Sequence, residues 1–295
     1  MVDSNIINEE ANLGLELCEN GMLEEGIKHL KYAAEFNHKY AIVNLGHALK
    51  LLGNYEEAFK WTLLGADLGD LTAITNLAIM YKKGQGTPCN IPEAIKLYKR
   101  LIELGKIDEG YNGIVVSYLS TNDESQNDKE KAYQYALEGS RIIMENNPDP
   151  QIHDSCDTVY NLALMYYHGM YVEKNNTEAI KYFEYCSKCG EDEATLNLAC
   201  IYIYDEGYKN IPFAIELLKK SIAQGSTDAY FLLGYLYEIG DSIEKNIEAS
   251  KYYYSMSIRK GNGKLYYNAS VERLNNLSPE ICKRVLSGKY SKIID

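Results

Sequence analysis

The chain has 295 residues and is acidic, with 42 Asp and Glu against 30 Lys and Arg and a net charge of −12 at pH 7. Nucleic-acid binding needs clustered cations that displace counterions from phosphates, so this balance argues against a nucleic-acid partner. The first residues are polar and no apolar run approaches the ~20 residues that cross a bilayer, which argues against a membrane partner and predicts a cytoplasmic protein.

A repeated pattern runs along the chain. In most copies the first half contains the sequence Asn-Leu-small, and the second half begins with a small residue and closes with a glycine. Copies lie at residues 11–36, 41–70, 73–105, 110–139, 157–190, 193–225 and 229–261, of which 11–36 and 110–139 are degenerate. Self-similarity at a period near 36 residues is the signature of a repeat fold.

Each copy predicts two antiparallel helices. In the first helix, Ala73, Leu77 and Tyr81 share one stripe of a 3.6-residue period. Glycine-containing turns follow at Gly84, Gly169, Gly207 and Gly240, and the residues expected to cap the second helix are Asn54, Asn90, Asp128, Asn175 and Asn210. These residue types suit helix ends because glycine tolerates a left-handed backbone and Asn or Asp side chains accept from free N–H groups.

The second helix is expected to bury an alanine and one or two aromatic residues. The predicted aromatic core positions are Trp61, Tyr98, Tyr182, Phe183, Tyr252 and Tyr253, and the predicted glycine stops are Gly69, Gly105, Gly190, Gly225 and Gly261. The sequence therefore predicts an all-α fold with little sheet.

Seven repeats account for residues 1–262. The predicted units lie near 8–38, 39–70, 71–107, 108–150, 151–191, 192–226 and 227–262, with an insertion at 145–155 that lengthens one interval. Residues 263–295 match the pattern less well and are more charged, as expected of a C-terminal capping helix.

The repeats resemble the Sel-one-like repeat family, a branch of the tetratricopeptide-like helical repeats with a longer loop between the two helices. Segments 71–105, 157–190, 193–225 and 229–261 carry the resemblance through the run A/T-x-x-N/L-L-G/A-x-x-Y and a closing glycine. Unit 39–70 has the shorter loop of an ordinary tetratricopeptide unit. The resemblance implies a right-handed α/α solenoid that acts as an adaptor or scaffold, and it implies no shared catalytic residues.

The sequence contains no recognisable catalytic or metal-binding motif. Cys186 and Cys189 form a single CxxC pair, and zinc binding would need a second pair, so we expect a structural role with Cys186 in the core. The five histidines are scattered without a partner at fixed spacing. We therefore expect no enzyme activity, no cofactor and no metal.

Asparagine recurs immediately before the buried leucine of the first helix. This ladder comprises Asn12, Asn44, Asn76, Asn161 and Asn197, and it is broken at Gly113 and Leu232. By analogy with tetratricopeptide arrays, the slot borders the concave groove, where an amide can bond a peptide backbone. The alternative is that each amide bonds the backbone of the neighbouring repeat.

The same analogy predicts further groove positions facing solvent. They are His47, Tyr160, Leu164, Tyr167, Cys200, Tyr204, Phe231 and Tyr235, and they concentrate in units five to seven. Aromatic side chains at such positions are typical of binding hot spots.

The sequence thus predicts a monomeric, non-catalytic adaptor or scaffold that binds a protein segment in this groove. A regulatory subunit or activator that clamps one specific enzyme is the alternative. A secreted or effector-type hydrolase is a third hypothesis.

Overall fold

The computed structural model describes residues 3–120, 126–261 and 266–286, and within these ranges every regular element is an α-helix. The helices are α1 (Ser4–Glu19), α2 (Leu23–Glu35), α3 (Lys39–Leu51), α4 (Tyr55–Asp67), α5 (Leu71–Lys83), α6 (Ile91–Glu103), α7 (Ile107–Leu119), α8 (Gln126–Asn146), α9 (Asp157–His168), α10 (Asn176–Cys189), α11 (Asp192–Tyr204), α12 (Ile211–Gln224), α13 (Asp228–Ile239), α14 (Ile247–Lys260), α15 (Tyr267–Leu277) and α16 (Pro279–Leu286). The predicted all-α repeat fold is confirmed.

The chain divides into two compact units. The N-terminal unit is Met1–Ile143 and the C-terminal unit is Met144–Asp295. In each unit the helices pack in chain order, so that α1 contacts α2, α2 contacts α3, and so on, and likewise α9 contacts α10 and α10 contacts α11. In the N-terminal unit α1 also contacts α3, and α3 contacts α5. The first helices of successive repeats are therefore neighbours.

Small residues let the two helices of a repeat approach closely. A Cβ atom added to Gly46 of α3 would lie 2.7 Å from Oγ1 of Thr62 in α4, and one added to Gly234 of α13 would lie 2.8 Å from the Tyr254 ring in α14. Both distances are shorter than van der Waals contact, so the close packing requires glycine there. The small residues that open the second helices are also buried, namely Gly26, Ala58, Ala94, Ala132, Ala179 and Ala214.

Asparagine caps start four of the predicted second helices. The side chains of Asn54, Asn90, Asn175 and Asn210 each accept a hydrogen bond from the backbone N–H three residues on. The fifth predicted cap is wrong, because α8 already begins at Gln126 and Asp128 lies in its first turn. At that position the negative carboxylate still interacts favourably with the positive end of the helix dipole.

Glycine ends many of the helices, as predicted. Gly84, Gly169 and Gly240 are left-handed C-caps. Gly207 lies in the turn after α11, as predicted. The C-cap of α11 is Asp205, whose carboxylate accepts from the Gly207 N–H at 2.9 Å. Gly261 does cap α14 but has φ −102°, a conformation open to any residue.

The aromatic core differs from the prediction in two repeats. Tyr98, Tyr182 and Phe183 are buried as expected. In the last repeat, however, Tyr252 and Tyr253 are only half-buried and Tyr254 is fully buried. The three tyrosines are consecutive in the sequence, so the spacing alone does not tell which ring points inward. In the structure it is the Tyr254 ring that packs against Gly234 of α13. Trp61 is also half-buried, because the adjacent Thr62 occupies the inward position.

The insertion predicted at 145–155 packs against α10 in the C-terminal unit. The Tyr185 hydroxyl donates to the Asn147 carbonyl at 3.0 Å, and the His153 N–H donates to the Cys189 carbonyl at 2.8 Å. The bond from His153 satisfies the Cys189 carbonyl, which has no partner within the helix because it lies in the last turn of α10. Residues 266–286 of the capping segment, the part that the structure describes, form two helices, α15 and α16, both of which contact α14.

The N-cap of α12 offers a test of how much these helix starts contribute. We expect Asn210→Ala to lower the free energy of unfolding by about 1 kcal/mol, because the Phe213 N–H loses its acceptor. Asn210→Asp keeps the acceptor and adds a charge that the helix dipole favours, so its stability should stay within about 0.5 kcal/mol of wild type. Urea unfolding followed by circular dichroism measures both, and equal losses would contradict the capping role.

Candidate protein-binding surface

The first helices of neighbouring repeats are joined by side-chain hydrogen bonds. In the N-terminal unit, Lys50 Nζ of α3 donates to Asn76 Oδ1 of α5 at 2.6 Å, and Thr75 Oγ1 donates to Glu109 Oε1 of α7 at 2.7 Å. In the C-terminal unit, Asn197 Nδ2 of α11 donates to the Tyr160 hydroxyl of α9 at 3.1 Å. We call the face that carries these bonds the first-helix surface of its unit.

The asparagine ladder lies on this surface. Asn44, Asn76, Asn161 and Asn197 are half-buried, and Asn12 is exposed. Asn44 donates to the Tyr40 carbonyl in its own helix at 2.9 Å, whereas Asn76 and Asn197 bond side chains of the preceding repeat. A bond to the neighbouring backbone, the alternative raised by the sequence, is therefore wrong for these three asparagines. Contact with a partner segment remains a prediction.

Tyr160 links three helices of the C-terminal unit. Its hydroxyl accepts from Asn197 and donates to Glu193 Oε2 at 3.1 Å, and its ring lies 6.0 Å from the Phe183 ring of α10. Burial raises the pKa of Tyr160, and the Glu193 charge raises it further. Tyr160 is half-buried, because its side chain bridges α9 and α11, and its role in partner binding stays a prediction.

A cluster of tyrosines surrounds Cys200 on the first-helix surface of the C-terminal unit. Burial raises the pKa of Tyr204 to about 12, and its titrating neighbours are Cys200, Tyr266, Tyr235 and Tyr167. We call these four tyrosines and Cys200 the tyrosine cluster. Tyr204 is 58% exposed, whereas the other members are half-buried. The cluster therefore combines one exposed ring with neighbours that are partly covered.

Aromatic contacts fix the base of the cluster. Tyr167 packs edge-on against Phe183 at 5.9 Å, and Phe231 stacks on Tyr266 at 4.6 Å with an interplanar angle of 3°. Phe231, Leu164 and Tyr167 are half-buried, so they reach solvent only in part. For Tyr167 the covering ring belongs to the second helix of its own repeat, and for Phe231 it belongs to the capping segment.

Cys200 is a packing residue. Burial raises the pKa of its thiol to about 11, so the thiol stays protonated at neutral pH and is a weak nucleophile. The side chain supplies a small apolar surface beneath the surrounding rings.

The capping segment supplies residues that the repeat pattern could not reveal. The Arg273 guanidinium of α15 lies 4.9 Å from the centre of the Tyr235 ring and donates to Glu238 Oε2 at 2.9 Å. The same carboxylate accepts from the buried Tyr254 hydroxyl at 2.6 Å. Arg273 and Tyr266 lie beyond the last repeat, so alignment of the repeats gave no signal for them. Their aromatic and cationic character was the only available indication.

The first-helix surface of the N-terminal unit has a different character. Tyr40, Asn44, His47 and Leu51 follow one another at helical spacing along α3, and Tyr40 and Leu51 are 52% and 59% exposed. His47 is exposed as predicted. The part of its ring that is covered loses contact with water, and this desolvation together with the positive charge of Lys50 lowers its pKa. This stripe therefore combines apolar and polar side chains that reach solvent.

The remaining sequence candidates have structural surroundings. Cys186 and Cys189 are buried, and Cys186 Sγ donates to the Cys156 carbonyl at 3.6 Å, in line with the predicted core position of Cys186. Within the described ranges, no group of three or more His, Cys, Asp or Glu side chains could hold a metal ion. In the same part of the chain, no helix is both long and apolar enough to span a bilayer.

The paired helices and their joined first helices define a helical-repeat protein of the tetratricopeptide-like class. The family model of the Sel1 repeat matches residues 39–70, 71–106, 157–190, 192–226 and 227–262, which is more than half of the chain. The chain belongs to the Sel1 repeat family.

Solved structures agree with this assignment. A Sel1 repeat protein from Oxalobacter formigenes is 25% identical, with a TM-score of 0.56, over 84% of this chain and 96% of that chain. A tetratricopeptide repeat protein from Parabacteroides merdae shares the fold at 16% identity, with a TM-score of 0.50, over 96% and 98% of the two chains. No curated protein matches the chain.

A double-mutant cycle tests the bond between Asn197 and Tyr160. We expect Asn197→Ala and Tyr160→Phe each to destabilise the protein, with a coupling energy of about 0.5–1.5 kcal/mol, because either change removes the same hydrogen bond. Urea unfolding of the two single variants and the double variant gives the coupling. The matched control pairs Asn197→Ala with Tyr235→Phe, which share no hydrogen bond, and should be additive. Equal coupling in both cycles would contradict a specific bond.

The reactivity of Cys200 tests how well the tyrosine cluster covers it. Cys89 is exposed, whereas Cys200 is half-buried with a raised pKa. We expect iodoacetamide at about pH 8 to modify Cys200 at least roughly tenfold more slowly than Cys89, because the thiolate is the reactive form. Peptide mass spectrometry over a time course measures both rates, and unfolding in urea should equalise them. Equal rates in the folded protein would show that the thiol is not covered.

Proposed function

We propose that the protein is a non-catalytic adaptor that binds an extended or helical segment of a partner protein on its first-helix surfaces. The observation that carries this proposal is the tyrosine cluster of the C-terminal unit, in which Tyr204 projects with 58% of its surface exposed. Large exposed aromatic side chains above a packed base are characteristic of interface hot spots.

The chemistry of the cluster supports contact with a protein segment. Tyrosine rings provide a large apolar area at a small cost in side-chain entropy, and their hydroxyls can bond a partner backbone. A tyrosine phenol is neutral at physiological pH and can both donate and accept, and the pKa of Tyr204 is raised still further, to about 12.

The polar positions of the same surface add possible backbone contacts. Asn161 is half-buried beside Tyr160, and Asn197 uses one amide N–H on the Tyr160 hydroxyl. An amide carries a second N–H and a carbonyl oxygen, so Asn197 keeps capacity for a partner. The uneven spacing of seven cysteines supports a reducing compartment, the cytoplasm.

Site-specific photo-crosslinking tests the proposal. We expect p-benzoylphenylalanine at position 204 to crosslink a defined protein in lysate from the cells that express the chain. The control position is 32, because Tyr32 is a comparably sized, 38% exposed aromatic on the second helix α2. A discrete crosslinked species should form from position 204 and not from position 32, and mass spectrometry identifies the partner segment.

The same pair of positions gives the energetic test. Tyr204→Ala should weaken the identified complex by roughly tenfold or more while the free energy of unfolding stays within about 0.5 kcal/mol, because the ring is exposed. Tyr32→Ala should leave binding unchanged. Crosslinks that do not depend on position 204, or full binding by Tyr204→Ala, would overturn the proposal. A partner enzyme whose rate changes on addition of the protein would favour the regulatory-subunit alternative.

A further inference from the structure

Lysines gather at the ends of α3 and α5 in the N-terminal unit. Lys50 lies in the last turn of α3, and Lys82 and Lys83 lie in the last turn of α5. Lys50 Nζ donates to Asn76 Oδ1 at 2.6 Å, which holds its amine against α5. His47 stands one turn before Lys50 on α3. We call Lys50, Lys82 and Lys83 the basic cluster, and His47 lies beside it.

The basic cluster is not neutralised within the described ranges. None of its three lysines forms an ion pair there, although other lysines of the same unit do, such as Lys31 with Glu57 at 2.8 Å and Lys96 with Glu93 at 3.0 Å. Burial lowers the pKa of Lys50 and of Lys82, and the charge of Lys83 lowers both further. The neighbouring charges are thus of one sign, in a chain whose net charge is −12.

A lysine in the last turn of a helix interacts favourably with the negative end of the helix dipole. This explains one lysine at the end of α3 and one at the end of α5. It does not account for the proximity of Lys83 to both Lys50 and Lys82, whose pKa values are lowered first by partial desolvation and then by the Lys83 charge. An anionic ligand would relieve both the repulsion and the burial penalty.

We propose that the basic cluster binds a protein segment rich in Asp and Glu. This inference rests on the proposed function in one respect, that the ligand is a protein. It adds that the N-terminal unit selects an acidic segment of that protein. The exposed side chains of Tyr40 and Leu51 flank His47 along α3, so the segment carries an apolar residue beside its carboxylates. Asn76 and Asn44 lie on the same face and have amide capacity for its backbone.

Carboxylates match the cluster better than the phosphates of a nucleic acid. The cluster contains no arginine, the side chain whose planar fork binds phosphate at two points. It is also confined to the ends of two helices, whereas nucleic-acid binding requires many phosphate contacts along an extended basic surface. The acidic remainder of the chain would repel a long polyanion.

Fluorescence anisotropy with the full chain and a fluorescein-labelled deca-glutamate peptide tests the proposal at low ionic strength. We expect saturable binding that weakens as salt is added, because exposed charge pairs are screened over ~8 Å at physiological ionic strength. The double variant Lys50→Gln/Lys83→Gln should bind roughly tenfold more weakly, since two unneutralised charges are removed. Glutamine keeps much of the aliphatic stem, and thermal melting checks that the variant is folded.

The matched control is Lys31→Gln/Lys96→Gln, which changes the net charge equally but removes lysines already paired with carboxylates on second helices. It should bind within roughly twofold of wild type. Tyr204→Ala should also bind the peptide normally, which separates this test from that of the adaptor proposal. Absence of saturable binding by wild type, equal losses in the two double variants, or tighter binding of a labelled oligo-thymidylate would overturn the inference.

Discussion

The close approach of two helices at a small residue is the constraint on which the structure depends. Glycine at position 46 admits Thr62, and glycine at position 234 admits the Tyr254 ring, at distances that leave no room for a Cβ atom. A two-helix hairpin cannot bury all of its apolar surface by itself, so the next hairpin covers its outer face. That stacking makes the first helices of successive repeats neighbours and so creates a first-helix surface in each unit.

Side chains on these surfaces serve the array and leave capacity for a ligand. Tyr160 and Asn197 spend part of their hydrogen-bonding capacity on each other, and Lys50 and Asn76 do the same. These lateral bonds hold neighbouring repeats in register while amide groups remain available. The same residue can therefore stabilise the array and contact a partner. Each variant tested for binding must for this reason also be tested for stability.

The two units offer different chemistry to a ligand. In the C-terminal unit, the Tyr204 phenol and the Cys200 thiol are neutral at physiological pH, and their pKa values are raised further, to about 12 and about 11, so this region suits contact with apolar and backbone groups. In the N-terminal unit, Lys50 and Lys82 carry charges without a carboxylate partner in the described ranges. Neutral rings and unneutralised amines select partners by different forces, the first by buried area and the second by charge.

The sequence by itself determined the all-α repeat class, most helix starts such as Asn210 and the buried Cys186, because local periodicity and capping chemistry are written in consecutive residues. It also found Tyr204, but not the contacts around it. Only the tertiary structure decided that Tyr160 is half-buried between α9 and α11 and that Arg273 from the capping segment stacks on Tyr235. Those contacts join residues from different repeats, and their geometry depends on how the helices pack rather than on any spacing along the chain.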